Sequence, residues 1–239
     1  MKKALFIIFF TSFLVCSVQF SHAGFFDDIL KQVTGSEERE DEDTMVAGLK
    51  EALDIGTKKA VEKVSVKDGY FNNLDIKIPV PEKLEKTENL LRKLGLDDRV
   101  DEFILSMNRA AEAAAPQAVD IFVEAIRNMT VVDAYGIVKG EETAATGYFE
   151  EKTSDSLTSL FRPVITDSMS GVGAVRSYRR MMKAYNSIPL VKDVDVDIEG
   201  YVTDKALDGL FFMVGEEEKK IRKDPAARVT ELLKKVFGE

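Results

Sequence analysis

The chain has 239 residues, 42 of them acidic and 33 basic, for a formal net charge of −9, with one cysteine, one histidine and no tryptophan. General nucleic-acid binding and adhesion to an anionic membrane both need cationic surface, so this balance excludes them. It also marks an acidic, soluble chain long enough for one sizeable core.

The first residues have the order of a secretory signal peptide: Lys2 and Lys3, an apolar run from Ala4 to Val18, then Ser21-His22-Ala23 before Gly24. Cleavage is expected after Ala23. The run is too short for a transmembrane anchor and is followed by Gln19 and His22. Lipidation of Cys16 would want a small residue just before it, where Val15 stands. Removing 23 of the 239 residues leaves 216, and losing Lys2 and Lys3 takes the basic residues from 33 to 31 against 42 acidic, a net of about −11. Cys16 and His22 go too. The mature chain then has no disulfide, no thiol nucleophile and no imidazole for a base or a metal ligand.

Phe25, Phe26, Ile29, Leu30 and Val33 at helical spacing predict a short amphipathic helix, and the acidic stretch 36–43 after it reads as a solvated linker. From residue 44 to 239 a single domain is expected. Val46, Leu49, Leu53, Ala60, Val61 and Val64 predict a helix over 44–64 that Gly69 terminates. Leu74, Ile76, Ile78 and Val80 alternate with Asp75 and Lys77, the period of a strand, held to an edge by Pro79. Pro81 opens a helix over 82–94 that Gly95 closes.

The longest helical pattern runs from about 97 to 129. Val100, Phe103, Ile104, Met107, Ala111 and Ala114 share one face, and small Ser106, Ala110 and Ala113 flank it, so most of the circumference is buriable. Pro116 has no N–H for the carbonyl of Glu112, so the helix must kink or restart there. Thr130 and Asp133 form a capping box for a helix ending at Gly140. A short helix is expected over 140–151, another over 154–168 broken at Pro163, a loop over 170–173, and a helix over 174–185 before Pro189. Val194, Val196 and Ile198 alternate with Asp193, Asp195, Asp197 and Glu199. This predicts a second strand over 193–201, pairing with 74–80 in a small antiparallel ribbon. Thr203 would cap the helix over 204–223, and Asp224-Pro225 would open the last one.

GEETAAT (Gly140 to Thr146), MNRAAEAAAP (Met107 to Pro116), KIPVP (Lys77 to Pro81) and YVTDKALDGLF (Tyr201 to Phe211) together resemble the bacterial family catalogued as domain of unknown function 4197, over about 46–237. The resemblance implies an exported, predominantly helical protein and carries no activity, cofactor or site.

Two constellations could serve a ligand. Asn108, Arg109 and Glu112 sit together beside the proline break, where they could grip a polar group or hold a perturbed acid, or simply tie neighbouring segments to the core helix. Arg176, Arg179, Arg180 and Lys183 form a basic stripe after Gly171 and Gly173, suited to an anion or to plain solvation; Arg176 stands where a dinucleotide fingerprint needs its third glycine. Asp193, Asp195, Asp197 and Asp204 fit a calcium-loop count, but Ile198 fills the glycine position. Thr143, Thr146 and Tyr148 bring hydroxyls together without a base at an evident spacing, which suits capping and helix-to-helix bonds. Leu207, Leu210, Phe211, Phe212 and Val214 could line a lipid cavity or be core.

The expectation is a mainly helical periplasmic or secreted protein, non-enzymatic, binding or scaffolding through an unknown small ligand or protein partner, without cofactor or metal. The alternative is a histidine-independent hydrolase or lyase using Glu112 with Arg109. Ligand and oligomeric state are not written in these residues.

Overall fold

A computed structural model describes the backbone of residues 23–171, 174–189, 191 and 196–223, with side chains over 42–170, 176–189, 191 and 196–223. The signal segment before Ala23, residues 172–173 of the expected loop, residues 192–195 of the expected second strand and the expected last helix lie outside these. The fold is mainly helical: α1 Ala23–Ser65, α2 Glu85–Lys93, α3 Asp97–Ala114, α4 Ala118–Asn128, α5 Val131–Lys139, α6 Ala144–Gly171, α7 Ala174–Asn186 and α8 Ile198–Lys223. Among the described residues no helix is long and apolar enough to cross a membrane. The chain divides into two units, Met1–Glu42 and Asp43–Glu239. The stretch 36–43, expected as a linker, has helical backbone within α1; glutamate and arginine are good helix formers even with nothing apolar to bury.

In the larger unit α3 is the helix expected at the centre. Val100, Phe103, Met107, Ala110, Ala111 and Ala114 are fully buried, and α3 packs against α2, α6, α7 and α8. Its small flank is what admits so many neighbours. The chain restarts at Pro116 through a 3-10 turn, Ala115–Gln117, into α4. The centre is nevertheless shared, because α6 against α8 is the most extensive pairing in the fold. Ala145, Phe149, Leu157, Phe161, Ile165 and Met169 fall at four-residue multiples along α6 and are buried. Phe122 of α4 meets Phe149 edge-on at 5.0 Å and Phe211 of α8 at 6.2 Å, knitting the three helices together.

Pro163 does not break α6, which runs unbroken to Gly171. The proline lies on the exposed side, where the carbonyl of Ser159 that loses its partner can turn to water. The separate helices expected over 140–151 and 154–168 are also one, since α6 runs from Ala144 through 152–153 without interruption. The capping box at Thr130 and Asp133 is present as expected, and Gly95, at φ +73°, closes α2.

Among the described residues the two-stranded ribbon is not formed. Residues 74–80 are turn and extended coil without a ladder, and Ile198 to Tyr201 form the first turn of α8. The segment after Asp68 winds through tight turns, with Asn72 N–H donating to Asp68 O at 3.0 Å and Lys77 N–H to Asn73 O at 2.8 Å. Ile76, Ile78 and Val80 do point inward, while Leu74, which the alternation included, is 87% exposed. On the other side Asp197 belongs to a helix start: its Oδ1 accepts from Gly200 N–H at 2.9 Å, the bond an N-cap makes. Thr203, expected as that cap, lies inside α8 and donates to Glu199 O at 2.7 Å.

α8 meets the turn segment where Gly209 faces Tyr70. A β-carbon there would stand 2.7 Å from a ring carbon of Tyr70 and 3.1 Å from Ile76 Cβ, and the Tyr70 hydroxyl is tied to Ala206 O at 2.7 Å, so the ring cannot retreat. Gly209→Ala is expected to destabilise the protein by about 2 kcal/mol despite its better helix propensity, read from urea unfolding of chain 24–239.

Candidate functional site

The inner face of α3 carries polar side chains where the turn segment crosses it. Asn108 is fully buried and treats Ile78 as a neighbouring strand would: Oδ1 accepts from Ile78 N–H at 2.9 Å and Nδ2 donates to Ile78 O at 2.9 Å. Its second amide hydrogen goes to Ile104 O at 2.8 Å. One turn on, Glu112 Oε1 accepts from the N–H groups of Tyr70 and Phe71 at 3.2 and 3.3 Å. Oε2 accepts from Arg109 Nη1 at 2.6 Å, and Arg109 Nη2 donates to Asp68 Oδ1 at 2.6 Å. Asp68 itself sits at φ 71°, a left-handed turn that delivers Tyr70 and Phe71 to the carboxylate.

The electrostatics follow from this closure. Burial works against the charge on Arg109, but the carboxylates of Glu112 and Asp68 outweigh it and raise its affinity for the proton further. Burial, then the charge of Glu112, pushes the Tyr70 phenol far above its usual range, so it stays a neutral donor to Ala206. Both oxygens of Glu112 are engaged and the side chain is 5% exposed. A general acid or nucleophile needs a lone pair aimed at a substrate. This carboxylate spends its acceptors on main chain and guanidinium.

The basic stripe lies elsewhere. Arg176, Arg179, Arg180 and Lys183 are exposed on α7, whose other side buries Ser177, Met181 and Tyr185. Arg180 donates to Glu102 of α3 at 3.0 Å, seven residues before Arg109. The two candidate groups are therefore not assembled into one site. Asp193 and Asp195 of the calcium count lie outside the described residues, and Asp197 is occupied as a cap. Leu207, Leu210, Phe211 and Val214 are buried as core, with Phe212 beside them 42% exposed.

A second buried polar junction was not anticipated. Glu218 of α8 caps α6 from outside: Oε1 accepts from Ala145 N–H at 3.0 Å, and Oε2 accepts from Thr146 N–H and Thr146 Oγ1, both at 2.9 Å. Arg222 donates to the same carboxylate at 2.9 Å and to Ile137 O, near the end of α5, at 2.7 Å. The Thr146 hydroxyl of the GEETAAT region thus bonds between helices, as Tyr148 also does to Ala125 O at 3.1 Å. Next door Glu217 joins Lys63 of α1 and, at 3.1 Å, Lys220. Burial opposes the Glu217 charge, but the two ammonium groups prevail and hold its carboxyl below the usual carboxylate range. The hint in the sequence was small: helical periodicity from Val214 turns Glu217 and Glu218 inward, and nothing local says what they meet. Beside Glu218, under Leu49, Leu53 and Phe149, lies a void of about 20 Å³, the scale of one water.

Asn108→Asp, which loses the donors to Ile78 and Ile104, and Glu112→Gln, which removes the charge Arg109 needs, are each expected to cost about 2–3 kcal/mol in chemical unfolding. An unchanged or raised stability for Glu112→Gln would instead mark a strained functional acid. Because the folded pKa of Glu217 is depressed, its contribution is present above the unfolded value of about 4.3 and is lost as pH falls through the folded value. Glu217→Gln should be weaker at pH 7 and should lose less further stability on acidification than the parent, measured by melting temperature against pH.

A family model described as "Protein of unknown function (DUF4197)" matches residues 39–238. No curated protein and no solved structure matches the chain. The match spans α3 with Asn108, Arg109 and Glu112, the α7 stripe, and the α6–α8 junction with Glu218. The chain belongs to the DUF4197 family.

Proposed function

We propose that this is an exported, non-enzymatic binding or scaffolding protein that works through its surface. The observation that carries the reading is that the buried amide and carboxylates at its helix junctions are spent on the chain's own backbone and guanidinium groups. Asn108, Glu112 and Glu218 each meet main-chain groups of another segment, which supports architecture over catalysis at Glu112 and Arg109. The void beside Glu218, about 20 Å³ among the described residues, is far smaller than the about 300–1,000 Å³ of small-molecule pockets, which argues against an apolar ligand held there. Anionic partners would be met by the exposed guanidinium groups of Arg176 and Arg179, with Arg180 already shared with Glu102. The signal pattern at Lys2 to Ala23 supports export and, where the cell has two membranes, a periplasmic location.

N-terminal sequencing of the exported protein is expected to begin at Gly24. Purified without refolding, the mature chain should run in native mass spectrometry at the polypeptide mass, or with a dissociable anion that disappears in the Arg176→Ala/Arg179→Ala variant. A tightly held lipid, or substrate turnover abolished by Glu112→Gln, would overturn the reading.

A further inference from the structure

A groove of about 430 Å³ runs between α4, the first turn of α5 and α6, within the range of about 300–1,000 Å³ usual for small-molecule sites. Ile121, Ala125 and the ring of Tyr148 line it with apolar surface, while Glu124 and Asp133 bring carboxylates and Lys152 an ammonium. Both signs of charge are fixed near neutral pH. The hydroxyl and then the amide of Thr130 hold the Asp133 carboxyl below the usual range, with Lys152 adding to the effect. The Lys152 ammonium donates to Glu151 at 2.7 Å in an exposed pair, which a ligand carboxylate would share or displace; it is held charged first by Glu151 and also by Asp133.

The helix ends add to this pattern. α4 stops at Asn128 and α5 starts at Val131, so the carbonyl end of one helix and the amide end of the next meet beside the groove. The carbonyl end of α4 reinforces the negative side that Glu124 already makes. The Tyr148 hydroxyl donates to Ala125 O, so towards a ligand its oxygen can serve only as an acceptor, suited to an ammonium. Exposed single charges hold a ligand weakly, and a molecule bearing one charge would engage one side only.

We infer that this groove binds a small zwitterion carrying both an ammonium and a carboxylate, as free amino acids and dipeptides do. The ammonium lies with Glu124, Asp133 and the Tyr148 oxygen, the carboxylate on Lys152, and the ligand's apolar part against Ile121 and Ala125. The inference rests on the reading of this protein as a surface binder.

The test is the melting temperature of the mature protein with each of the common amino acids, with a set of dipeptides, and with N-acetyl amino-acid amides that lack both end charges. At least one zwitterion is expected to raise Tm by about 4 °C at roughly ten times its Kd, and the blocked amides should not. The free amino-acid and dipeptide arms separate the two sources of the same chemistry. Lys152→Ala and Glu124→Gln, neither a member of the capping box, should keep the parent's unliganded Tm within about 1 °C and weaken binding about tenfold. No shift from any zwitterion at concentrations on the order of 10 mM, or a shift that survives in both variants, overturns this site. A different species held at Arg176 and Arg179 in native mass spectrometry would leave surface binding standing while this groove fails; turnover of a zwitterion dependent on Glu112 would sink the binding reading itself.

Discussion

Buried backbone must be hydrogen-bonded, and in this protein that constraint is met by side chains where regular structure does not reach. A segment running from Asp68 to Val80 crosses the face of a core helix without a strand beside it. Left alone, its N–H and C=O groups would be buried without partners, at about 1–3 kcal/mol each. Asn108 supplies the missing strand for Ile78, and Glu112 supplies acceptors for Tyr70 and Phe71. The helix start at Ala144 has the same need and Glu218 meets it from 73 residues away. Arg109 and Arg222 then balance the two buried carboxylates. Two acids, one amide and two guanidiniums thus organise the contact between the turn segment, α3, α6 and α8.

This explains why polar residues on the apolar face of a helix are a poor guide to catalysis. A buried carboxylate beside an arginine is what an active site looks like in sequence, and equally what an anchored loop looks like. The distinction lies in where the lone pairs go. At Glu112 they go to Tyr70, Phe71 and Arg109, and the same side chains that could have gripped a substrate hold the chain itself.

Local signals were legible where a single helix decides its own fate. The inner face of α3, the restart at Pro116, the capping box at Thr130 and the closing glycine at Gly95 each depend on residues within one or two turns. The ribbon failed because alternation records only which residues face inward. Ile76, Ile78 and Val80 alternate in an extended segment whose partner is the Asn108 side chain, and sequence spacing cannot tell that from a second strand. Pro163 misled for a related reason, since a proline costs a helix little when its face is wet. Asn108, Arg109 and Glu112 could be named in advance, with Arg109 in reach of Glu112, but not the main-chain groups of Tyr70, Phe71 and Ile78 that Glu112 and Asn108 hold, and Glu218 was hidden among acids that charge alone assigns to solvent. Its role depends on Ala145 and Thr146 arriving from another part of the chain.

The distances in sequence between these partners bear on how the chain acquires its shape. Glu217 meets Lys63 across 154 residues, Tyr70 meets Ala206 across 136 and Glu218 meets Thr146 across 72. Lys63, the Tyr70 hydroxyl and the amides at the start of α6 therefore lack these partners until α8 has been delivered. Wide separation of contacts slows folding, because loop closure must precede the bonds that reward it. A chain threaded through a membrane by the proposed signal has to remain unfolded in transit. Under the proposed export, fastenings carried by the final described helix would leave Lys63 and the Tyr70 hydroxyl without these partners until that helix had followed them.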